Sequence, residues 1–119
     1  MAKSMLIISR QAPWSGPTAR EALDIALAGG AYDLPVAMLF LDDGVYQLLD
    51  AQAPDGVQQK NLAANLQALP LFGIDEVFVC SASLACRGVP YAGLAIAAQP
   101  LAEEQLRALL SRFDLVVTL

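Results

Sequence analysis

A cysteine closes the apolar run DEVFVC at residues 75–80, and Ser81, Ala82, Ser83 and Leu84 follow at once as a helix entry. A strand-to-helix turn of that kind would hold the Cys80 thiol where α/β proteins bind ligands. The strand's C-terminal end opens there onto helix N-termini whose unpaired N–H groups favour anions. A thiolate is such an anion, and a helix N-terminus can lower a cysteine's pKa well below its free value of about 8.5, making the sulfur a nucleophile at neutral pH. The same residue has a second reading. Unpaired cysteine is among the most buried residue types, and Val77, Phe78 and Val79 are apolar neighbours, so Cys80 also fits an inert core thiol. Sequence alone leaves both open.

Three further groups could do chemistry. Cys86, six positions on, is a second thiol, although strand-turn-helix geometry does not guarantee disulfide distance. The loop RQAPWSG at residues 10–16 stands where phosphate-binding folds place a glycine-rich turn, but it matches neither GxxxxGK[ST] nor GxGxxG. Trp14 in that loop reads more simply as a lid or an interface anchor. Asp42 and Asp43 form an acidic pair after the second apolar run. Neighbours on an extended chain point to opposite sides, so one Mg²⁺ could scarcely use both, and capping of the helix that starts near Gly44 accounts for at least one.

Composition excludes more than it proposes. The 119 residues contain no histidine and two cysteines. Imidazole-based catalysis and His-containing zinc sites are therefore absent, and two cysteines cannot complete a structural zinc site. Neither a cofactor nor a metal is expected. The net charge of −5, with basic residues scattered along the chain, gives no footprint for phosphates, so direct nucleic-acid binding is not expected. The first apolar run, residues 5–8, is far shorter than a secretory hydrophobic region, and no run approaches the roughly 18 apolar residues of a membrane span. The expected location is cytoplasmic, with no membrane partner. Hydrophobic residues make up 56% and charged ones 16%, against about 45–50% and 25% in average soluble domains. A small domain cannot hide that surplus, and contiguous apolar surface marks partner sites. The chain is expected to be an obligate oligomer.

Positioning these groups requires strands alternating with helices, the pattern of a parallel sheet covered on both faces. Residues 3–9 read as the first strand. A helix then starts at Pro17, with Thr18 and Glu21 at capping-box spacing; Ala19, Ala22, Leu23 and Ala26 line one face, and Gly29 and Gly30 end it. Residues 36–41 are a buried second strand, followed by a turn at Asp42, Asp43 and Gly44, a short helix over 45–49 and a loop over 51–56. Leu62, Leu66 and Leu69 repeat at helical spacing until Pro70. The strand ending at Cys80 leads into a helix of one or two turns over 83–87, stopped by Gly88 and Pro90. Residues 94–98 read as a weaker, alanine-rich strand, residues 102–112 as a helix packing Leu106, Leu109, Leu110 and Phe113, and residues 115–119 as a last strand. The whole, residues 1–119, fits one domain.

A phosphoacceptor receiver domain shares the βα alternation, but it needs an aspartate where this chain has Cys80 and a lysine near the last strand's end. A rhodanese-type sulfurtransferase needs a basic, glycine-rich loop around its cysteine, and neither Cys80 nor Cys86 has one. The AP-containing loop before a helix carrying Arg20, Glu21, Leu23 and Asp24, then DGVYQLL at 43–49, then VFVCSASLACRG at 77–88 resemble the DsrE/DsrF-like family over essentially the whole chain. Within it they are most similar to the DsrF-like subunits of a three-subunit sulfur relay. The resemblance implies a three-layer α/β/α sandwich around a parallel five-stranded sheet. It also implies a dimer of heterotrimers with TusB-like and TusD-like subunits, taking persulfide sulfur from a TusA-like donor and passing it to a TusE-like acceptor. The end product would be 2-thiolation of the wobble uridine of certain tRNAs. In such complexes the essential persulfide cysteine belongs to the TusD-like subunit, which implies a structural role for this chain and a dispensable thiol at Cys80. Cys86 is outside the family's motif. Two alternatives remain open: an autonomous thiol or persulfide-transfer enzyme using Cys80, and a DsrF-type subunit in dissimilatory sulfur oxidation.

Overall fold

Three unbroken apolar runs build the centre of the sheet, because a strand covered on both faces has no solvent side to keep polar. They are β1 (Met5–Ser9), β2 (Val36–Phe40) and β3 (Glu76–Cys80), almost wholly buried in the computed structural model. The structure describes residues 3–12, 16–48, 66–91, 94 and 96–119. The short β4 (Gln99–Leu101) and β5 (Leu115–Thr118) form the edges, giving the order β4-β3-β2-β1-β5. Every pairing is parallel, with Ile7 opposite Met38 and Val117, and Phe78 opposite Leu39 and Gln99.

Alternation along the strands sorts side chains into two cores. Ile7, Met38, Phe40, Val77 and Val79 face one side, where α1 (Thr18–Ala31) lays down Ala19, Ala22, Leu23 and Ala26. Leu6, Ile8, Ala37, Leu39 and Phe78 face the other, against Leu109 of α3 (Glu103–Arg112), with Leu106 and Phe113 partly buried beside it. The expected three-layer α/β/α arrangement is thus present. Leu110 departs from expectation: it is 41% exposed, on the solvent side of α3.

Local chemistry explains where element boundaries shift. Pro17 is the N-cap of α1, with φ −80° and ψ −6°, and no side chain caps the helix, so the Thr18–Glu21 capping box does not form. Gly29 and Gly30 do not end α1 but lie inside it, buried. A Cβ on Gly30 would meet the Phe72 carbonyl oxygen at 2.5 Å, so glycine there serves close backbone approach. Asp42–Leu48 is one continuous 3-10 helix, beginning at the predicted turn. Pro70 lies inside a second 3-10 turn, Leu69–Phe72, and the stop comes at Gly73 with φ +81°. The strand expected over 94–98 is displaced to Gln99–Leu101. Alanine-rich sequence has little β propensity, and Pro100 is tolerated because β4 is an edge strand. A helix, α2, spans Ser81–Cys86. Trp14, the loop expected at 51–56 and the stretch through Leu62 lie outside the described residues. No helix among the described residues is long and apolar enough to cross a membrane.

Candidate functional site at the strand C-termini

Parallel strands put all their C-terminal ends at one pole, so Ser9, Phe40 and Cys80 finish side by side and their following turns meet. Cys80 itself is the N-cap of α2, with extended backbone at φ −74° and ψ 117°, and its Sγ accepts a hydrogen bond from the Ser83 N–H at 3.4 Å. The sulfur thus occupies the place of a capping oxygen. Cys80 is 7% exposed. Ser81, by contrast, caps nothing: its hydroxyl donates to the Leu101 carbonyl at 3.1 Å, tying α2 to the end of β4. Cys86 is exposed at the far end of α2, and both cysteines are free thiols.

The turn after β2 is held against α2. Asp42 has φ +50°, a left-handed conformation that aspartate adopts more readily than most residues. Its N–H donates to the Ser83 hydroxyl at 3.0 Å. Its carboxylate takes Arg10 at 2.8 Å, while Asp43 takes Arg87 at 2.9 Å. The acidic pair therefore diverges toward two different arginines, as expected of neighbours that point apart. Among the described residues no group of three or more His, Cys, Asp or Glu side chains could hold a metal ion. Arg87 also reaches the Ser83 carbonyl at 3.4 Å. The guanidinium is held above its ordinary pKa, chiefly by the Asp43 hydrogen bond, with desolvation opposing it and the Asp43 and Asp42 charges adding to the rise. It is committed to its carboxylate.

Gln47 links the 3-10 helix to β1. Its Nε2 donates to the Ser9 hydroxyl at 2.7 Å and to the Gln11 carbonyl at 2.9 Å, and the residue is 4% exposed. Its Oε1 is buried with no hydrogen-bond partner among the described residues. Gly44 makes this seam possible, since any Cβ there would run into the Ser9 carbonyl. The chain end closes the other side, with the Arg10 N–H donating to the Leu119 carbonyl at 3.0 Å and the Leu119 N–H to Ile8 at 2.9 Å.

The arrangement brings Cys80 and the Asp42–Asp43 pair to one pole and leaves Cys86 at its rim. Sequence reasoning missed Gln47, and it missed the arginines that take up the two aspartates. Only Ser83 gave a usable signal: it stands three residues after Cys80, the spacing of an N-cap to its N3 partner. The chemistry available is that of a sheltered thiol held by a backbone donor.

Residues 3–119 match the model of the DsrE/DsrF-like family. Over 119 residues the chain is 61% identical to Protein TusC homolog of Pseudomonas aeruginosa, covering 100% of both chains. It is 45% identical over 98 residues to Protein TusC homolog of Vibrio parahaemolyticus, covering 82% of this chain and 83% of that one. Protein TusC of Shigella flexneri serotype 5b is 35% identical over 116 residues, 97% of this chain and 98% of its own. In fold, the crystal structure of the ychN protein from E. coli superposes with a TM-score of 0.82 over 100% of both chains at 22% identity.

Proposed function

The chain belongs to the DsrE/DsrF-like family, and we propose that it is the TusC-type subunit of a sulfur relay that supports 2-thiolation of the wobble uridine in tRNA. Its role is to hold a TusD-like, sulfur-carrying subunit in place together with a TusB-like subunit. A TusA-like donor and a TusE-like acceptor stand upstream and downstream. The full-length likeness to TusC proteins supports membership of the relay.

One observation carries the scaffold role: Cys80 is buried, at 7% exposure, with its sulfur accepting the Ser83 N–H. A sulfur carrier must present its thiol to a donor persulfide and then to an acceptor thiol, because exchange needs in-line access to the sulfur. Arg87, the basic side chain on this turn, is engaged by Asp43. An autonomous thiol enzyme would need an accessible sulfur as well as the helix N-terminus that Cys80 already caps.

Co-expression tests the reading. With TusB-like and TusD-like subunits the chain should elute as one larger species in light scattering, and alone it should self-associate or aggregate. A well-behaved monomer that ignores both partners would contradict it.

A further inference from the structure

We propose that the pole opposite Cys80 is the docking face for a protein partner with an apolar centre and a basic rim; the proposal rests on the reading of this chain as a relay subunit. The strand N-termini meet at that pole. The turn after α1 folds back on the helix, with the Asp33 N–H donating to Gly30 and the Leu34 N–H to Gly29, both at 3.0 Å. The 3-10 turn Leu69–Phe72 lies alongside, brought close by the Gly30 contact with the Phe72 carbonyl. Tyr32 is consequently 81% exposed and Leu71 87%, with Leu34 and Phe72 each 39% exposed next to them. Large apolar side chains this exposed, on neighbouring turns held by backbone hydrogen bonds, have the composition and rigidity of interface anchors.

Concave surface adjoins these knobs. One cleft of about 380 Å³ has Asp75, Phe78 and Tyr91 in its wall, and a second of about 290 Å³ is lined by Leu66, Pro70 and Ile96. The two share Asp75, Val77 and Ala97, so they lie on either side of one ridge. Knobs beside clefts can interlock with a partner's side chains in a way that a flat patch cannot.

Charge selects the occupant. No basic residue lines either cleft. Asp33 and Asp75 form no ion pair among the described residues. A two-fold contact between copies of this chain would bring two patches that each carry Asp33 and Asp75 together, since an isologous interface pairs a patch with itself. Like charges across a desolvated contact are strongly disfavoured. A different subunit, with Lys or Arg placed around an apolar centre, satisfies both features.

The test uses the full chain co-expressed with the TusB-like and TusD-like subunits, with affinity measured by biolayer interferometry. Leu71→Glu, Tyr32→Glu and the double change Asp33→Lys/Asp75→Lys should each weaken association by about tenfold or more. Leu110→Glu, an exposed site on α3, should assemble as the unaltered chain does. Unchanged far-ultraviolet circular dichroism shows that each variant still folds. If the unaltered chain assembles and the three polar variants assemble equally well, the docking face lies elsewhere and only this inference falls. Loss of self-association in those variants, with hetero-assembly intact, would assign the pole to a second copy and overturn it. If the unaltered chain binds neither subunit, the relay reading itself fails.

Discussion

The Ser83 backbone N–H donates to the Cys80 sulfur at 3.4 Å. The same residue's hydroxyl accepts from Asp42, 41 positions earlier in the chain, at 3.0 Å. Ser83 thereby joins the thiol to the left-handed turn after β2. Its removal leaves a partly buried N–H without a partner, and an unmade bond of that kind costs about 1–2 kcal/mol. Ser83→Ala should lower the unfolding free energy by that amount in urea titration of the assembled complex. An unchanged midpoint would show that the bond is replaced by water at no cost.

The two thiols differ in accessibility, Cys80 being buried and Cys86 exposed. Alkylation with iodoacetamide at neutral pH, followed by peptide mass spectrometry, should therefore label Cys86 readily in the folded protein. Cys80 should label slowly until denaturant is added and rapidly afterwards. Equal labelling of the two in the folded state would contradict the sheltered-thiol geometry.

Arg87 gives a prediction about salt and pH. Its pKa is raised in the folded state, so its contribution to stability is fully present below the unfolded value and is lost only as pH climbs through the still higher folded value. Both lie far above neutrality, since arginine is protonated throughout the working range. Stability curves of Arg87→Gln and the unaltered chain should therefore run parallel between about pH 6 and pH 9, offset by a constant. The carboxylate partner is more than half exposed, so that offset should shrink at about 1 M salt, where screening acts within about 3 Å. A gap that widens with pH, or one indifferent to salt, would contradict the pairing with Asp43.

Much of this architecture is legible in the sequence because its signals are local. The runs at β1, β2 and β3 read as buried strands since each is apolar without alternation, and the face of α1 reads from Ala19, Ala22, Leu23 and Ala26. Gly29 and Gly30 misled for a physical reason: glycine both ends helices and permits close packing. Only the distant Phe72 carbonyl, met at 2.5 Å by a Cβ built on Gly30, selects the second role. The strand at Gln99–Leu101 was hidden by Pro100, which opposes a central strand yet is harmless at the edge. At the site, Cys80 was legible as a strand-end thiol, but its burial was not. Nor were the pairings Arg10 with Asp42, Arg87 with Asp43 and Gln47 with Ser9. Each joins residues 32 to 44 positions apart, and no local pattern encodes such a meeting.

Mass spectrometry of tRNA nucleosides tests the central claim most directly. A strain lacking this gene should lose 2-thiolated wobble uridine because the relay complex cannot assemble. Restoring the gene with Cys80→Ser should return thiolation nearly to the level given by the unaltered gene, since serine is close in size and its hydroxyl can still accept from the Ser83 N–H. If Cys80→Ser left thiolation as low as the deletion while the purified complex remained assembled, Cys80 would be a station for sulfur and the scaffold account would be wrong.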